Sequence, residues 1–134
     1  MLKLSKKSEY ALMAAGYMAV KNQGTAITAK EIANSFNLSY ELISKVLQSL
    51  SKNQIVVSYK GVKGGYVLSK SPIDISLIDL IKAVEPDYQI AECLRYESKK
   101  SCCYEEHCTI KDPLASVQQK IDKVFLETKL SHII

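Results

Sequence analysis

Four cysteines, Cys93, Cys102, Cys103 and Cys108, fall within sixteen residues of one polar stretch, with His107 beside the last of them. Thiolates are soft ligands that suit iron–sulfur clusters or zinc, and free thiols can also act as a redox switch. Structural zinc sites usually show two tight cysteine pairs. Here four residues separate Cys103 from Cys108, but eight separate Cys93 from Cys102, so the zinc pattern is poor. In a reducing compartment such a set binds metal or senses redox state more often than it makes disulfides. No catalytic constellation accompanies it. There are two histidines, His107 and His132, with no serine–histidine–acid arrangement and no phosphate-binding loop, so the chain reads as a non-enzyme.

A second chemistry lies in the lysines. Residues 1–70 hold ten Lys against three acids (Glu9, Glu31, Glu41), a charge of +7. Residues 71–134 hold eight basic and eleven acidic residues, a charge of −3. A basic front half joined to a mildly acidic rear half suggests that the front meets a polyanion. Hydrophobic residues at 47% and charged residues at 24% exclude wholesale disorder. The longest apolar run, Tyr10–Val20, is eleven residues, too short to span a bilayer. It follows Lys3, Lys6 and Lys7 as a signal peptide would, but Glu9 and two tyrosines interrupt that character and no cleavage site follows. A cytoplasmic location is expected.

The elements that would position these groups are legible. A first helix is expected from near Ser5 to Lys21, with Tyr10, Met13, Ala14 and Tyr17 on its apolar face and Asn22-Gln23-Gly24 as its stop. Thr28 and Glu31 have capping-box spacing and should open a second helix bearing Ile32, Ala33 and Phe36. After a break at Asn37-Leu38, Ser39 can cap a third, with Leu42, Ile43, Val46, Leu47 and Leu50 as its stripe. Two short helices separated by about three residues form a helix-turn-helix. Ile55–Tyr59 and Tyr66–Leu68 then read as strands joined by Lys60-Gly-Val-Lys-Gly-Gly65, a basic, glycine-rich wing. The fold class is mainly α with a small β-hairpin: a winged helix-turn-helix followed by a long C-terminal dimerisation helix.

The third helix should expose Ser39, Tyr40, Glu41, Ser44, Lys45 and Gln48, a set able to approach base edges and phosphates in a major groove. Lys60 and Lys63, beside Gly64 and Gly65, are assigned to phosphate or minor-groove contact. The partner expected is double-stranded DNA. Ser76 should open a helix with Leu77, Leu80, Ile81 and Val84 on one side, ended by Pro86. Asp112 as cap and Pro113 at the first helical position should begin the last helix. Its seam, Leu114, Val117, Ile121, Val124 and Thr128, widened by Phe125, repeats at three- and four-residue steps. That seam either folds back on the winged half or pairs two chains, and a homodimer is the expectation. The expected division is 1–70 for DNA binding, 71–86 for a connecting helix, 87–112 for a cysteine-containing sensor loop and 113–134 for dimerisation.

The chain resembles the Rrf-two type winged-helix transcriptional regulators, the IscR-, NsrR- and CymR-like proteins. The resemblance rests on Leu4-Ser5 and Glu9-Tyr10-Ala11-Leu12 at the front and on Leu42–Leu50 in the third helix. It rests further on Lys60-Gly61 with Gly64-Gly65-Tyr66-Val67-Leu68 in the wing, and on Ile75-Ser76 leading to Ala83-Val84-Glu85. What it implies is a homodimer whose long helices cross, bound to a roughly palindromic operator and usually repressing. It also implies an iron–sulfur cluster, of the 2Fe–2S or the 4Fe–4S kind, because Cys93-x8-Cys102-x5-Cys108 is similar to the family's three-cysteine loop. Where the IscR-like branch has a histidine three residues after the last cysteine, this chain has Lys111, whose amine stays protonated near neutral pH. The fourth ligand is then Glu9, Cys103 or His107. In NsrR-like members the position of Glu9 is an acid that reaches the other subunit's cluster. Two other functions stay open: a thiol-based switch without a cluster, and a small thiol-redox or electron-transfer protein on a winged fold.

Overall fold

The computed structural model describes residues 3–21, 25–89 and 109–134. All four cysteines, His107 and the expected stop at residues 22–24 lie outside the described residues. The described chain runs α1 (Lys6–Lys21), α2 (Ala29–Phe36), α3 (Tyr40–Lys52), β1 (Val56–Tyr59), β2 (Gly65–Leu68), α4 (Leu77–Val84) and α5 (Lys111–Glu127). Short 3-10 turns occupy Pro72–Asp74 and Leu130–His132. No helix among the described residues is long and apolar enough to cross a membrane.

The core forms where α1, α3 and α4 meet. α1 contributes Ala11, Ala14, Ala15 and Met18, all fully buried. This inward face is rotated from the expected one: Tyr10 and Tyr17 pack at the rim, because alanines let neighbouring helices approach closely while tyrosine keeps its hydroxyl wet. Tyr17 donates its hydroxyl proton to Glu31 Oε2 (3.0 Å) and meets Phe36 edge-on at 6.0 Å. Phe36 is therefore an exposed rim residue, not a core one.

Caps decide where the helices start. The Glu31 amide donates to Thr28 Oγ1 at 3.0 Å, so Thr28 caps α2 as expected. The box is only half formed, since the Glu31 carboxylate accepts from Tyr17. Ser76 and Asp79 form the complete box at the head of α4, at 3.2 and 3.1 Å. Asn37, in the left-handed region at φ 53°, closes α2 and leaves a three-residue turn, Asn37–Ser39, before α3. Ser39 stands at the N-cap of α3 but makes no side-chain capping bond.

The hairpin is antiparallel, pairing Val56 with Leu68 and Tyr59 with Gly65. One pair in from its turn, where Tyr66 faces Ser58, the hairpin has a third partner that nothing in the local sequence marks. Ile27 and Tyr66 exchange both backbone hydrogen bonds, at 2.9 and 2.8 Å, which fixes the wing to the segment entering α2.

The last helix departs from expectation at both ends. α5 begins at Lys111 with Ile110 as N-cap, and Leu114 N–H donates to Ile110 O at 2.8 Å. Pro113 thus sits third in the helix, where its missing N–H costs nothing because first-turn donors lack intrahelical acceptors. At the other end α5 stops at Glu127. Leu77 N–H donates to Thr128 O (2.9 Å) and Leu130 N–H to Ile75 O (2.8 Å), and Leu130 is wholly buried in the core.

Candidate nucleic-acid interface

α3 buries Ile43, Val46, Leu47 and Leu50, four of the five stripe residues. Leu42 is the exception at 45% exposed: it lies beyond the edge of the stripe, on the solvent side. The opposite side carries exposed Tyr40, Glu41, Lys45 and Gln48, with Ser44 half-buried between them. Gln48 donates its side-chain amide to Ser44 Oγ at 3.4 Å, so two of the groups assigned to base edges already share a hydrogen bond. Ser39 is exposed where the turn enters α3.

An open groove of about 670 Å³ separates the start of α3 from the wing. Tyr40 and Ser44 line one wall, Ser58, Tyr59 and Gly65 the other, and Thr28 and Lys30 at the head of α2 close one end. Lys30, Ser58 and Tyr59 were not anticipated. The signal for Tyr59 lay in β1, where alternation turns Val57 and Tyr59 away from the core-facing Val56.

Lys60 and Lys63 are exposed on the wing. Gly64 and Gly65 have a structural role there. A Cβ on Gly64 would lie 2.6 Å from Tyr59 O, and one on Gly65 2.7 Å from Ile27 O, so neither position admits a side chain without backbone movement. Gly65 also sits at φ 147°. Their absence of side chains lets the wing close on itself and on the strand-like segment at Ile27.

The residues assigned to the sensor and the seam are divided. Glu9 lies in the first turn of α1, ion-paired to Lys6 at 3.1 Å with both side chains substantially exposed. That hydrogen bond and the carboxylate's charge raise the Lys6 pKa above the usual lysine range. Among the described residues no group of three or more His, Cys, Asp or Glu could hold a metal ion.

Along α5, Ile121 and Phe125 turn inward and line a cavity of about 370 Å³ with Leu4, Ile81 and Tyr88. Leu114 and Thr128 are half-buried, while Val117 and Val124 face outward at 42% and 59% exposed. Tyr88, just after α4, donates its hydroxyl proton to Asp122, which also accepts from buried Gln118 at 2.8 Å. The inner part of the seam therefore packs on its own chain, and the outer part is left open.

The chain matches the family model described as "Rrf2: Iron-dependent Transcriptional regulator" over residues 4–134. The HTH-type transcriptional regulator NsrR of Bacillus licheniformis is 31% identical, over 84% of this chain and 78% of that protein. The structure of CymR, the global cysteine regulator of B. subtilis, is similar with a TM-score of 0.76 at 26% identity, covering 99% of this chain and 96% of that one. T. potens IscR shares the fold with a TM-score of 0.74 at 24% identity, over 98% of this chain and 85% of that one. The match takes in the winged half and the long helix alike, and the chain belongs to the Rrf2 family of transcriptional regulators.

Proposed function

We propose that the chain is a sequence-specific DNA-binding regulator, acting as a homodimer and repressing, whose cysteine segment senses iron–sulfur status, nitric oxide or redox state. The observation that carries the DNA reading is the groove between α3 and the wing. It sets Tyr40 and Ser44 of α3 across from Ser58, Tyr59 and Gly65 of the lysine-bearing hairpin, on the half of the chain charged +7, ten Lys against three acids. α3 enters the major groove, and Lys60 and Lys63 meet phosphates. Residues 1–70 bind DNA, 71–86 connect, 87–112 sense and 113–134 dimerise.

Cys93, Cys102 and Cys108 hold an iron–sulfur cluster, with Glu9 from the twin chain as fourth ligand and Cys103 or His107 as alternates. The chemistry of the donor set supports this: three soft thiolates suit iron, and a partly exposed carboxylate that among the described residues is ion-paired to an exposed lysine gives that pair up at little cost. Such a cluster supplies a group sensitive to oxidants and nitric oxide. A carboxylate donated across the dimer ties occupancy to the relative orientation of the two wings, and half-sites must be met at a fixed separation. A second reading, a thiol switch with no cluster, is favoured by the likeness to the cysteine regulator CymR.

The experiment is anaerobic purification with an absorption spectrum and iron and sulfide analysis, followed by titration of the chain's own promoter fragment at several salt concentrations. The expected results are a thiolate-to-iron absorption band and an affinity that falls steeply with salt, as release of phosphate counterions demands. Iron-free protein whose promoter affinity responds to thiol oxidation would establish the second reading. Binding that ignores both salt and sequence would reject the DNA reading itself.

A further inference from the structure

Val62 stands at the tip of the wing with its side chain fully exposed. Single exposed aliphatic residues are ordinary on protein surfaces. This one is a β-branched residue in a turn, where glycine, asparagine, aspartate and serine are the usual occupants, and its setting is unusually well fixed. Gly64 N–H donates to Gly61 O at 2.9 Å, closing the turn. Gly61 takes φ 112°, and Gly64 is pressed against Tyr59 O so closely that a Cβ there would lie at 2.6 Å. One pair in from the turn, the paired bonds between Ile27 and Tyr66 hold the hairpin to the body. The tip therefore presents one aliphatic side chain, flanked in sequence by exposed Lys60 and Lys63, at a set distance from α3.

We propose that Val62 enters the DNA minor groove and gives the wing a preference for A·T pairs, with Lys60 and Lys63 on the adjoining phosphates. This inference rests on the DNA-binding reading above. The minor-groove floor at an A·T pair carries acceptors alone, whereas a G·C pair adds the guanine 2-amino group. That amino group occupies the space a valine methyl would fill and asks for an acceptor that valine lacks. Runs of A·T also narrow the groove and deepen its negative potential, which draws lysine. Valine thus selects by exclusion and the lysines by potential, in a groove where architectural proteins also place apolar side chains, there as wedges between base steps.

The test uses the full chain and the duplex it selects from a randomised library. Each A·T run of that duplex is replaced in turn by G·C or by inosine–cytosine, which keeps an A·T-like minor groove while presenting the G·C pattern in the major groove. At the run beneath the wing, G·C should weaken binding about tenfold and inosine–cytosine hardly at all. In Val62→Ala the G·C penalty there should shrink severalfold, with thermal unfolding unchanged because the side chain is outside the core. If Val62→Ala keeps the parent's penalty at every run, or inosine–cytosine weakens binding as much as G·C, the wing does not read the minor groove through Val62 and the inference fails while DNA binding stands. If the chain selects no duplex, both readings fall together.

Discussion

Lys60 and Lys63 differ from Ser44 and Gln48 in what they can tell one base from another. An ammonium group on a flexible stem pairs with any phosphate, whereas a hydroxyl or amide near base edges gains or loses a partner as the base changes. Lys60→Ala with Lys63→Ala should weaken binding to every duplex and flatten the salt dependence by roughly one phosphate per lysine, measured as the slope of log affinity against log salt. Ser44→Ala or Gln48→Ala should leave that slope alone and narrow the gap between selected and unrelated DNA by about 1–3 kcal/mol. Because Gln48 donates to Ser44 Oγ, the two changes should be non-additive. Equal losses on all sequences from Gln48→Ala would show that the amide serves the helix and not the bases.

The elements were legible where a local rule sets them. Thr28 and Ser76 announce their helices by hydroxyls that cap orphan amides, and the wing announces itself by glycines that nothing else could replace. What stayed hidden depends on distant partners. Nothing near Ile27 marks it as a strand partner of Tyr66, and nothing near Thr128 marks the point where the last helix ends against Leu77. The start of α5 was misplaced because Asp-Pro is a strong local signal for a helix start, yet a proline at the third helical position also gives up no intrahelical hydrogen bond. Leu130 is the residue most underrated by periodicity, since it lies beyond the seam but is completely buried. Leu130→Ala should lower stability by about 2–5 kcal/mol through the cavity it leaves. Chemical denaturation showing a loss below 1 kcal/mol, well under the usual range for a buried leucine, would mean that the core closes over the site.

At the scale of the molecule, the seam of α5 serves two surfaces. Ile121 is half-buried against its own chain, so Ile121→Asp would perturb the fold as well as any pairing of chains. Val124 is 59% exposed and makes the cleaner probe. Val124→Asp should shift a dimer toward monomer in sedimentation, with thermal unfolding of the monomer little changed, since an unpaired charge in an apolar contact costs several kcal/mol. An unchanged mass would move the dimer contact elsewhere. The backbone bridge between Ser76 and Lys129 has a further consequence. The stretch from Ser76 to Lys129 is made fast to the winged body at both ends, like a bight of rope, with α4 itself packed into the core against α1 and α3. The entropy of closing such an excursion grows only with the logarithm of its length, roughly 0.6 kcal/mol for each doubling. Natural variation can therefore lengthen, shorten or recompose the segment between α4 and α5 while Ile75, Ser76, Lys129 and Leu130 keep the DNA-reading half intact.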